Sequence, residues 1–185
     1  MSSLPPASLL TRRRWTQWLA GSLLATSTTG LYAATFERLD WEALVPPDWD
    51  PMASFSHFQD LADVPDTDPR VQQLYEQMRQ VWDAAPTVAE LEGRNIRIPG
   101  FVVPLEGDRH GMSEFLLVPY FGACIHTPPP PANQIIHVTT HKPVRGFESM
   151  SAVWVSGQLR LARKDSEMGA SGYLLQAQRV QAYQE

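Results

Sequence analysis

The chain has 185 residues, of which 43% are apolar and 19% charged, with a net charge of −5 and a single cysteine. That length suits one domain with a single core. The acidic balance disfavours nucleic acid and anionic membrane surfaces as partners, and a lone cysteine excludes an internal disulfide.

Residues 1–34 read as an export signal. Arg12, Arg13 and Arg14 form a positive n-region, residues 19–25 a short apolar stretch, and small residues lead to a cleavage site near Ala33 or Ala34. The run is too short and too polar for a comfortable membrane span. Thr11, Arg12, Arg13 and Trp15 resemble a twin-arginine signal, with Trp15 where that pattern usually carries Phe. A periplasmic location is therefore expected, with no stable membrane span after cleavage. Removing residues 1–33 takes away three arginines and no acidic residue, so the net charge moves from −5 to −8.

Residues 35–69 read as an extended lead-in, rich in Pro, Asp and Trp in irregular order. A helix is expected over residues 70–84. Asp68 is placed to cap it and Pro69 to occupy its first position. Val71, Leu74, Tyr75, Met78, Val81 and Trp82 recur at helical spacing, and Pro86 stops the run. That apolar stripe points to packing on a core rather than to a cofactor.

Beyond the helix the pattern is β-rich. Strands are predicted over residues 94–98, 100–105, 114–121, 134–140, 152–161 and 172–180, with a turn at 106–111. Short strands broken by Gly and Pro predict a mainly β (α+β) fold. It would be a small antiparallel barrel, oligonucleotide-binding-like, over residues 70–185 with one packed helix. Gly157, inside an otherwise regular strand, fits a bend in such a barrel.

The stretch with the most chemistry lies between two of these strands. Cys124 stands two residues before His126, and four prolines follow at 128–131. In an extended chain, side chains at i and i+2 share a face. A thiolate and an imidazole so placed are preferred zinc and copper ligands. Outside the cytoplasm a lone thiol is a liability unless buried, ligated or paired between chains. The prolines impose a stiff polyproline II path, which serves either as a rigid connection or as a docking ridge for a protein partner.

Residues 98–106, 114–126 and 128–134 resemble a family of exported bacterial proteins catalogued as a domain of unknown function. The resemblance spans roughly residues 85–183. Members are often encoded beside ABC-type transporter components and another exported protein in zinc-responsive clusters. It implies an accessory role in transition-metal handling and supplies no catalytic residue. Cys124, His126, Asn133 and Gln134 fall on the shared motif.

Two ligands do not complete a zinc site, so a third is needed. His137, one strand away, is the candidate third ligand. His141 is expected in a solvated loop, and His57 and His110 lie in polar loops without a partner pattern. Glu148 has no spacing that demands ligation. Asn133 and Gln134 are expected to satisfy the backbone of the proline loop, which is rich in acceptors and poor in donors. Enzymatic patterns are absent: no orienting third group for a Cys–His pair, no haem-attachment string, no second redox cysteine, no phosphate-cradling glycine loop. The sequence thus points to a non-enzymatic accessory that binds zinc, with copper as the alternative metal, or else to an interaction module that uses the barrel and the proline loop, with a Cys124-dependent enzyme as a third reading.

Overall fold

The helix forms where its caps and stripe place it. The structure, a computed structural model, describes residues 35–53, 55, 61, 63–123 and 130–184. Helix α1 runs Pro69–Asp83, and the carboxylate of Asp68 accepts a hydrogen bond from the Arg70 amide at 2.8 Å. Val71 and Met78 are buried, while Leu74, Tyr75, Val81 and Trp82 on the same stripe are half-buried. The helix touches the last strand of the barrel, and the Trp82 indole donates to the Pro51 carbonyl at 3.0 Å.

Six strands follow the order β1 (Glu37–Arg38), β2 (Asn95–Asp108), β3 (Gly111–Val118), β4 (Ile136–Val144), β5 (Ala152–Ser166) and β6 (Gly169–Ala182). Strands β2, β3, β4, β6 and β5 form a ring, closed by pairing of β5 with β2 from Asn95↔Gln158 to Phe101↔Ala152. The result is the expected small barrel with one helix. It departs from the expectation of antiparallel pairing at one joint: β4 and β6 run parallel, from Ile136↔Tyr173 to Thr140↔Ala177. Five strands in a closed ring cannot all alternate in direction, so at least one neighbouring pair must be parallel. With β4 beside β6 and β5 beyond it, the strand order is that of an oligonucleotide-binding-type Greek-key barrel.

The inward positions build the main core. Ile96, Ile98, Phe115, Leu117, Ile136, Val138, Val155, Tyr173 and Leu175 are inaccessible to solvent and pack together. Gly157 sits where the β5–β6 register shifts, and a Cβ there would collide with the Gln176 carbonyl oxygen. A side chain is thus excluded by close approach of the neighbouring strand.

The lead-in contributes to this core. β1 pairs parallel with β2, and the 3-10 turn Trp41–Leu44 places Leu39, Trp41 and Leu44 in the main cluster. Three polar contacts fix it. The Trp41 indole donates to the Pro99 carbonyl at 2.7 Å, and the Gln134 amide donates to the Trp41 carbonyl at 3.0 Å. The Tyr173 hydroxyl, fully buried, donates to the Leu44 carbonyl at 2.8 Å and accepts from the Val88 amide at 2.7 Å. Burial raises the Tyr173 pKa, opposed by the Val88 hydrogen bond, so the phenol stays protonated and able to donate.

Candidate metal centre

Strand β3 ends in a run, residues 115–118, that is buried on both faces, and β4 begins beside it with Ile136, His137 and Val138 all buried. Phe115 and Leu117 point inward with Ile136 and Val138, so alternation sends Leu116, Val118 and His137 outward. That outer face is not solvated. Val103, Leu116, Val118, Ala123 and Ile135 form a second buried cluster there, flanked by half-buried Phe101, Leu105, Met150 and Met168. In barrels of this type the face of the second and third strands is a usual ligand surface. Here those strands are β3 and β4, and their outer face is packed.

His137 lies in this layer, opposite Leu116 on β3 and Leu174 on β6. It is 5% exposed, and neither ring nitrogen has a hydrogen-bond partner among the described residues. The nearest charge is the Glu114 carboxylate, 3.6 Å from Nε2, which is ion-pair range but too long for a hydrogen bond. Burial lowers the His137 pKa; the Glu114 carboxylate opposes that shift, and the Lys164 ammonium adds to it. The ring is therefore neutral at pH 7, the form that ligates metals. A buried imidazole with two unsatisfied nitrogens is costly unless something binds it.

The other two sequence candidates, Cys124 and His126, lie outside the described residues, as do His57 and residues 1–34. Their flanks are described. Ala123, which precedes the segment, belongs to the outer cluster, and the Gly122 amide donates to the Met150 sulfur at 3.3 Å. On the other side Ala132 packs with Ala85 and Ala170 in a third cluster, and the chain returns to the outer cluster at Ile135. Among the described residues no three His, Cys, Asp or Glu side chains gather as a metal site; His137 and Glu114 make a pair.

The remaining residues have other places. Asn133 is fully buried and donates to the Pro86 carbonyl at 3.0 Å, while its own carbonyl oxygen has no partner among the described residues. The side chains of Asn133 and Gln134 tie the motif to the segments before β2 and around Trp41, while the Gln134 backbone amide donates to the Pro131 carbonyl at 2.7 Å. His141 is exposed and lies in β4, not in a loop. His110 sits in the β2–β3 turn, 3.4 Å from the Arg109 guanidinium, and Glu148 pairs with Arg109 at 3.3 Å. Sequence reasoning missed Glu114. Its relation to His137 depends on the β3–β4 register, where Glu114 stands opposite Thr139, and no local pattern encodes that.

The model of a family described as protein of unknown function, DUF3299, matches residues 41–182. The chain is similar to the crystal structure of a DUF3299 family protein from Pseudomonas aeruginosa. That similarity has 35% sequence identity and a TM-score of 0.64, and covers 82% of this chain and 99% of the other. No curated protein matches.

Proposed function

The chain belongs to the DUF3299 family, and on that footing we propose that it is an exported transition-metal-binding protein, zinc first, that assists an ABC-type transporter. Cys124, His126 and His137 are the proposed ligands. The carrying observation is His137: buried, kept neutral, and with neither ring nitrogen hydrogen-bonded among the described residues, on the outer face that also holds Ala123, the residue before Cys124. A metal would satisfy one nitrogen, and Glu114 can orient the ring or add a carboxylate ligand. Ligation would also protect the single thiol from oxidation. Residues 1–34 would carry the protein to the periplasm, and replacing Arg12 and Arg13 by Lys would stop passage if the twin-arginine route serves it.

The test is a zinc titration against a competing chelator dye, with untagged protein stripped of metal. Wild type should bind below about 1 μM, and Cys124→Ser and His126→Ala should lose affinity by about tenfold or more. His137→Ala should also lose affinity. Equal binding by wild type and Cys124→Ser would defeat the metal reading. The protein-interaction reading then takes its place, supported by Phe121, which is 70% exposed and packs edge-on against Phe101.

A further inference from the structure

The parallel joint between β4 and β6 opens before either strand ends. Pairing stops at Thr140↔Ala177, yet β4 continues to Val144 and β6 to Ala182. Beyond that point β4 stays with β3, at Met112↔Val144, while β6 stays with β5 as far as Val153↔Ala182. The two strands therefore diverge, and a slot of about 300 Å³ lies between them. Its walls carry Thr140, His141, Lys142, Gln178 and Arg179, and its floor includes Val144 and Val180, both half-buried against the main core.

Among the described residues no strand pairs with the β6 edge at Gln178–Ala182 on this side. A free edge presents unpaired amides and carbonyls, a template for an added strand. The opposite wall is blunted, because Pro143 in β4 has no amide to donate. Charge selects the guest. Lys142 and Arg179 are exposed cations and no acidic side chain lines the slot, although the chain as a whole is net negative. Alternation sets its pattern, since an added strand would turn one set of side chains to Val144 and Val180 and the other to solvent beside Lys142 and Arg179.

We propose that this slot is a docking site for an extended acidic segment of a partner protein, alternating apolar and acidic residues, which adds as a strand to the β6 edge. The site lies farther along β4 than His137, which does not line it, and its test does not depend on metal.

The experiment uses the full chain and a fluorescein-labelled alternating Glu–Val peptide of about eight residues, with an alternating Lys–Val peptide as control. Fluorescence polarisation should show binding of the Glu–Val peptide that weakens with added salt. The Lys–Val peptide should bind at least about tenfold more weakly, and Lys142→Glu with Arg179→Glu should weaken Glu–Val binding by about tenfold or more. These side chains are exposed, so an unchanged circular dichroism spectrum should accompany the loss. Hydrogen exchange at Gln178–Ala182 should slow when the Glu–Val peptide is present. No binding up to about 1 mM, equal binding of both peptides, indifference to the charge reversals, or protection confined to other strands would overturn the proposal. So would a concentration-dependent dimer abolished by the charge reversals, which would assign the slot to a second copy.

Discussion

The two faces of β3 and β4 are both buried, but they are finished to different standards. Inside the barrel, Phe115, Leu117, Ile136 and Val138 pack in one apolar cluster, and the hydroxyl of Tyr173 in the same cluster has a donor and an acceptor in place. Outside, Leu116, Val118 and Ile135 are as fully buried, yet His137 is buried beside them with neither ring nitrogen hydrogen-bonded among the described residues. Stability alone would place Leu at position 137. The contrast separates a face built to hold the fold from a face where a polar group is held ready at a cost.

That contrast can be broken most severely from the inside. Phe115→Ala should leave a cavity in the main core and cost about 4 kcal/mol, read from urea unfolding. The next largest effect should come from Tyr173→Phe. It removes one hydroxyl but strands the buried Leu44 carbonyl and the part-buried Val88 amide, for a cost of about 2 kcal/mol.

On the outer face the sign should reverse. His137→Leu in metal-free protein removes two buried nitrogens that have no hydrogen bond among the described residues and fills a similar space, so stability should rise by about 1 kcal/mol while zinc affinity falls. A loss of stability would show that the ring has a partner in the resting protein. The smallest effect is the pH dependence. Because the folded pKa of His137 lies below its ordinary value of 6.5, the unfolded chain takes up the proton first as pH falls. This contribution to stability is fully present above about pH 6.5 and is lost as pH falls towards the lowered folded value. Urea midpoints of stripped wild type between pH 7.5 and 5.5 should fall more than those of His137→Leu.

The helix was legible because its signals are local: Asp68, Pro69 and a stripe at helical spacing sit within one segment. The strands were legible for the same reason, though β5 runs to Ser166, past the expected end near residue 161. Its last stretch is polar and leaves the barrel as a hairpin with β6, paired at Lys164↔Ser171. Periodicity carries no direction, so the parallel β4–β6 joint was hidden. It carries no layer count either. Alternation placed His137 opposite Ile136 and Val138, which in a single-layered wall means solvent, and only the second cluster changes that reading. The irregular lead-in concealed its role because a four-residue 3-10 turn has too little length for a pattern. Of the candidate ligands, His137 alone is described, and its burial is the part that no spacing rule conveys.

The Tyr173 hydroxyl also sets a clock. It joins a carbonyl 129 residues earlier in the chain to an amide 85 residues earlier. β6 is the final strand, and the ring stays open between β4 and β5 until it arrives. A growing chain that has not yet reached residue 173 can already pair β1 with β2 and seat Trp41 on Pro99, but it lacks the bond that holds the Leu44 carbonyl. Assembly of this barrel is a late event governed by distant partners, and slow folding follows from that order of arrival.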